Sequence, residues 1–127
     1  RAVDPDRVGG ELRVGVHVLE DLPDALVDAR DTPKVVLDVG CGEGLFSKLL
    51  KKKYGCEVVG IEPDYTSFLK SKHNTDQSFL GTFEEVEKKL SKKFDVIFFN
   101  DVLEHMIDPW NTLNRIPLLE PIGKVYL

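Results

Sequence analysis

Val35-Val36-Leu37-Asp38-Val39-Gly40-Cys41-Gly42-Glu43-Gly44 is the stretch that decides the fold. Its first five residues are apolar except for Asp38, and glycines then fall at positions 40, 42 and 44. A continuous apolar run bounded by glycines suits a strand buried on both faces of a parallel sheet. Glycine permits positive φ and lets backbone approach a ligand closely. Residues 45–53 then read as a helix, with Leu45, Phe46, Leu49 and Leu50 on one side and Lys51, Lys52 and Lys53 at its negative end. The first turn of such a helix offers free N–H groups and a positive dipole end, which suit a carboxylate or phosphate.

The alternation continues downstream. Residues 57–61 form a second short strand, and Asp64 caps a helix over 65–72. Residues 78–80 are a third strand, followed by a capping box, Thr82 with Glu85, that opens a helix reaching Leu90. Residues 94–99 are a strong fourth strand. Asp108 and Pro109 open a further helix as cap and first-turn proline, and residues 124–127 begin a fifth strand. Strands alternating with helices over short connections predict an α/β fold: a doubly wound, Rossmann-like parallel sheet with helices on both faces. Its ligands bind beyond the carboxyl ends of the strands. Upstream, residues 1–33 read as a partly irregular N-terminal segment. Alternating Leu12, Val14, Val16 and Val18 favour a strand, and residues 23–30 a turn or two of helix. Residues 34–127 are the sheet domain.

Bulk properties exclude several classes. A chain of 127 residues suits one domain with a real core. A net charge of -5 gives no reason to expect nucleic acid or an anionic membrane as partner. No apolar run approaches the roughly 20 residues that span a bilayer, and no signal peptide is evident. Cys41 and Cys56 form no CxxC pair and read as reduced thiols of a cytoplasmic protein.

The glycine spacing narrows the ligand. A dinucleotide fingerprint, G-x-G-x-x-G/A, needs a small residue where Leu45 stands, and no Gly-Lys-Ser/Thr follows as a phosphate loop requires. Glu62 ends the second strand roughly 20 residues after the loop, where a carboxylate accepts from ribose hydroxyls and repels a 2′-phosphate. The site therefore wants an adenosine-type ribose and a group near a helix N-terminus. A turn-stabilising role for Asp38 and a solvated strand end for Glu62 are the bland alternatives.

These residues carry a family resemblance. The stretch 35–44 resembles the first motif of class I S-adenosylmethionine-dependent methyltransferases, and Val58-Val59-Gly60-Ile61-Glu62-Pro63 resembles the second. Phe94-Asp95-Val96-Ile97-Phe98-Phe99-Asn100-Asp101-Val102-Leu103-Glu104-His105 is similar to the fourth-strand motif of the small-molecule branch, the type 11 and type 12 groups. Leu118-Leu119-Glu120-Pro121-Ile122-Gly123-Lys124-Val125 is similar to the turn into strand five. The resemblance spans residues 34–127 and implies a sheet holding strands one to five of the family's seven, incomplete at its C-terminal side. It implies S-adenosylmethionine as cofactor. Asp38 and the backbone of Gly40, Cys41, Gly42 and Gly44 are expected to hold its amino-acid end. Glu62 is expected at the ribose, Pro63 on the adenine face, and Asn100 and Asp101 near the methionine and sulfonium portion. The family often places an acid after strand three for the adenine amino group. Here Gly81, Thr82 and Phe83 stand there, so backbone or Thr82 contacts are expected instead.

The resemblance implies methyl transfer to a small-molecule or glycan acceptor; residues 102–110 resemble domains attached to polysaccharide-assembly enzymes. The alternatives are a non-catalytic S-adenosylmethionine- or S-adenosylhomocysteine-binding module and, less well matched, an NAD-type oxidoreductase. His105 either deprotonates a hydroxyl acceptor or packs at a helix start. Asp101, Glu104, His105 and Asp108 match no metal motif, so no metal is expected. Phe98, Phe99, Met106 and Trp110 read as core. An apolar edge strand left bare invites self-association, which the segment 12–19 could prevent by covering it.

Overall fold

The structure is a computed structural model in which residues 10–13, 33–91, 94–99, 108 and 123–126 are described. In chain order the elements are β1 (Gly10–Arg13), β2 (Val35–Val39), α1 (Leu45–Tyr54), β3 (Glu57–Glu62), α2 (Tyr65–Ser71), β4 (Gln77–Leu80), α3 (Phe83–Val86), β5 (Val96–Phe99) and β6 (Gly123–Tyr126). A 3₁₀ turn, Glu87–Lys89, continues α3. The six strands form one sheet in the order β1-β6-β5-β2-β3-β4, and every pairing is parallel.

The chain runs outward from β2 through β3 to β4, then returns to the other side of β2 as β5 and β6. The strand order therefore reverses at β2, and the crevice beyond the carboxyl end of such a strand is where open α/β sheets bind ligands. The glycine stretch leaves β2 at that point.

Two apolar layers sandwich the sheet, as the alternation of side chains along each strand requires. Leu37, Val39, Val59, Ile61, Ile97 and Phe99 face Phe83 and Val86 of α3. Val36, Val58, Val96 and Phe98 face Leu50 of α1, with Phe46 and Tyr54 packed alongside. Each layer holds an edge-on ring pair, Phe46–Phe98 at 5.1 Å and Phe83–Phe99 at 5.6 Å between centroids. Phe98 and Phe99 are thus core, as their sequence suggests.

Carboxylates fasten the opposite, amino end of the sheet. Asp95 Oδ2 accepts from the backbone N–H groups of Lys34 (2.7 Å) and Val35 (2.9 Å), and Asp76 Oδ2 accepts from that of Val58 (2.7 Å). These bonds set the register at the strand starts.

Two details differ from the sequence reading. The N-terminal strand, expected over 12–19, already includes Gly10 and Glu11; Leu12 and Arg13 lie in it, and 14–19 lie outside the described residues. This strand pairs in parallel with β6, from Gly10 opposite Gly123 to Arg13 opposite Tyr126, so the flank of β6 is covered and, among the described residues, β1 and β4 are the outer strands. Residues 10–13 of the N-terminal segment therefore lie in the same sheet as β2–β6. The helix expected over 23–30 lies outside the described residues, as does the one expected after Asp108, itself an exposed bend.

Candidate cofactor site

The glycine turn is seated on β3. The N–H groups of Gly40 (2.8 Å) and Cys41 (3.0 Å) both donate to the carbonyl of Ile61, extending the β2–β3 pairing past the end of β2. Gly60 makes this approach close: a Cβ there would stand 2.8 Å from Cys41 Sγ and 3.2 Å from Thr75 Cγ2. Gly42 and Gly44 serve different ends. Gly42 (φ 57°) has open space where a Cβ would be, on a bare backbone surface. Gly44 (φ 87°) is the N-cap of α1, and a Cβ there would meet Asn74 Cβ at 2.8 Å and the Ser71 backbone at 3.3 Å.

Glu62 reaches back to the same turn. One carboxylate oxygen accepts from the Gly42 N–H at 2.8 Å and the other from the Asp64 N–H at 2.8 Å. An ionised carboxylate has about four acceptor positions, so each oxygen keeps capacity for a further donor. The side chain is 8% exposed, held at the surface of the crevice by two backbone bonds. The end of β4 is tied in as well, since the Gly81 N–H donates to the Glu62 carbonyl at 3.1 Å. Beside this carboxylate the N-terminus of α1 carries no side-chain cap and no acid in its first turn. The donor set therefore fits an adenosylated amino acid: acceptors for a diol, and free N–H groups for a carboxylate.

A methyltransferase-domain family model matches residues 12–127. The chain belongs to the class I S-adenosylmethionine-dependent methyltransferase family. It is 33% identical over 95 residues to the ubiquinone biosynthesis O-methyltransferase of Bradyrhizobium diazoefficiens, covering 69% of this chain and 36% of that protein. It is similar to the crystal structure of the plantazolicin methyltransferase BamL in complex with a triazolic desmethylPZN analog and SAH. There the TM-score is 0.56 and the identity 26%, over 64% of this chain and 31% of that one. It is also similar to the bifunctional kinase-methyltransferase WbdD, at a TM-score of 0.54 and 30% identity over 65% of this chain and 20% of that one. The chain spans about a third of the length of the curated relatives it matches.

Within this methyltransferase fold, the structure brings Gly40, Cys41, Gly42, Gly44 and Glu62 together, with Pro63 exposed next to Glu62. Thr82 is exposed at the end of β4. The Phe83 ring turns into the core against Phe99, so only its backbone is available to a ligand. Asp38 is fully buried, and its Oδ2 accepts from the hydroxyl of Ser47 at 2.7 Å. Sequence reasoning missed Ser47; the signal was a small polar residue on the inward side of an otherwise apolar helix face. It also missed Asn74, whose Nδ2 donates to the Glu43 carbonyl at 2.9 Å. Burial, reinforced by the Asp38 carboxylate, pushes the Cys41 thiol up to about 12, and burial pushes Cys56 up to about 11. Both cysteines are free and protonated at neutral pH, which removes them as nucleophiles. Asn100, Asp101 and His105 lie outside the described residues. Among the described residues no group of three or more His, Cys, Asp or Glu side chains could hold a metal ion, and no helix is long and apolar enough to cross a membrane.

Proposed function

We propose that this chain is the cofactor-binding core of an enzyme that moves a methyl group from S-adenosylmethionine to a small-molecule or glycan acceptor. The observation that carries this is the Glu62 carboxylate, fastened to the Gly42 N–H beside the uncapped start of α1. Glu62 would accept from the ribose hydroxyls. The Gly40–Gly44 backbone and the first turn of α1 would hold the amino-acid end. Pro63 would pack on the adenine face, with Thr82 and the Phe83 N–H at its edge. Asp38 acts from beneath the loop through Ser47 on α1, and Asn100 and Asp101 would stand near the methionine and sulfonium portion.

The bound cofactor supplies an electrophilic methyl group, and the protein's task is to align acceptor, carbon and sulfur. Where the acceptor carries a proton that must leave, His105 is our choice of general base. Plantazolicin, named for the BamL neighbour, supports a small-molecule acceptor, and the resemblance of residues 102–110 to domains attached to polysaccharide-assembly enzymes supports a glycan. Two free cysteines support a cytoplasmic location. Self-association through a sheet edge would use β1 or β4, the outer strands among the described residues.

Calorimetric titration tests the reading. S-adenosylhomocysteine is expected to bind saturably and NAD not at all. NAD binding without S-adenosylhomocysteine binding overturns it.

A further inference from the structure

The glycine turn has a second support, from the end of α2. Asn74 Nδ2 donates to the carbonyl of Glu43 at 2.9 Å, while the N–H of the same peptide, that of Gly44, donates to the Cys41 carbonyl at 2.9 Å. The Glu43–Gly44 peptide is thus held at both of its polar atoms. Its orientation sets the start of α1, because the Gly44 carbonyl accepts the first helical bond, from Lys48 N–H at 2.9 Å. Asn74 is itself fixed: its backbone N–H donates to the Ser71 carbonyl at 2.9 Å, and its Cβ fills the space that only a glycine at position 44 leaves open. The Lys70–Glu43 ion pair at 3.7 Å, between two well-exposed side chains, adds little.

We propose that Asn74 is a positioning residue for the amino-acid end of the cofactor. By clamping the Glu43–Gly44 peptide it aims the first-turn N–H groups of α1 at the ligand carboxylate. This rests on the function proposed above. A residue that only stabilised the turn after α2 would affect the fold, or all ligands alike.

The experiment compares two probes on the full chain. S-adenosylhomocysteine has the amino-acid portion; 5′-methylthioadenosine shares the adenosine and lacks it. Asn74→Asp keeps the shape and removes the donor, and Asn74→Ala removes both. Losing one neutral hydrogen bond is expected to weaken S-adenosylhomocysteine about 3- to 10-fold in each variant. Affinity for 5′-methylthioadenosine should stay as in the wild type, with the Tm lower by no more than the few degrees that one lost hydrogen bond gives. Equal weakening of both probes, or full S-adenosylhomocysteine affinity in Asn74→Asp, overturns the assignment while leaving the function in place. A wild-type chain that binds neither probe overturns the function, and the assignment with it.

Discussion

The three helices that follow β2, β3 and β4 all begin at the carboxyl end of the sheet, yet they begin differently. At α2 the Asp64 side chain accepts from the Ser67 N–H at 2.9 Å. At α3 the capping box is complete: Thr82 Oγ1 accepts from the Glu85 N–H at 3.3 Å, and Glu85 Oε1 accepts from the Thr82 N–H at 3.0 Å. At α1 the cap is Gly44, in the left-handed region, with no side chain to accept and no acid in the first turn. A helix leaves its first N–H groups without intrahelical partners, and leaving them so costs stability. The fold satisfies that need at α2 and α3 and, among the described residues, leaves it open at α1, beside the strand where the sheet order reverses. The difference teaches where a ligand is expected to complete the protein.

The strongest way to break the comparison is Gly44→Ala. The left-handed conformation costs a residue with a Cβ about 1–2 kcal/mol. The new Cβ would also stand 2.8 Å from Asn74 Cβ, so the start of α1 must move. We expect a Tm lower by several degrees and S-adenosylhomocysteine binding lost, by thermal melts and titration. A variant that melts and binds like the wild type would show that the shape of the turn is not needed. Glu62→Ala comes next. Losing hydrogen bonds to a charged group costs about 1.5–3 kcal/mol, which weakens cofactor binding roughly tenfold or more. The Gly42 N–H also loses its acceptor, so the effect should reach the amino-acid end. Unchanged affinity in a titration would move Glu62 out of the site.

Much of this was legible in the sequence, for local reasons. The apolar run 35–39, the alternate glycines, the Asp64 cap and the Thr82–Glu85 box each act within a few residues, so β2, β3, β4 and the helices between them could be placed from pattern alone. Glu62 was legible because its position at a strand end is set by the same pattern. Contacts made across the chain were not. That Gly44 is crowded by Asn74, that Ser47 sits on Asp38, and that Glu62 holds Gly42 all depend on how α1, α2 and β3 stack. The N-terminal strand was legible from the alternation at Leu12, but its start at Gly10 was not, because Gly10 and Glu11 carry no apolar signal. Its place in the sheet is set by a partner distant in sequence, β6, opposite which Gly10–Arg13 lie.

Leu45→Glu sharpens the comparison by making α1 resemble its neighbours. Leu45 is 66% exposed in the first turn, so the change opens no cavity. A carboxylate there interacts favourably with the helix dipole, by about 0.3–1 kcal/mol. It also competes with a ligand carboxylate for the same N–H groups. We expect a small rise in Tm together with several-fold weaker S-adenosylhomocysteine binding and unchanged 5′-methylthioadenosine binding. A rise in Tm without loss of affinity would separate the open N-terminus from the cofactor.

The smallest effect is in pH. The Ser67 backbone N–H holds the Asp64 carboxyl below its ordinary 3.8, and the Thr82 backbone N–H, with its hydroxyl, holds Glu85 below 4.5. A carboxylate depressed in the folded state contributes its full stability above the unfolded value, and that contribution is lost as pH falls through the folded one. The caps of α2 and α3 should therefore hold at pH 7 and weaken progressively below pH 3.8 and 4.5 respectively. Among the described residues no carboxylate accepts from the Leu45 or Phe46 N–H at the start of α1, so these two amides should move less in that window. Amide chemical shifts of Ser67 and Thr82, the donors to the two carboxylates, followed from pH 7 downward against those of Leu45 and Phe46, read this directly. Equal titration shifts at all three helix starts would mean that α1 is capped by a carboxylate after all, and the contrast between the helices would fall.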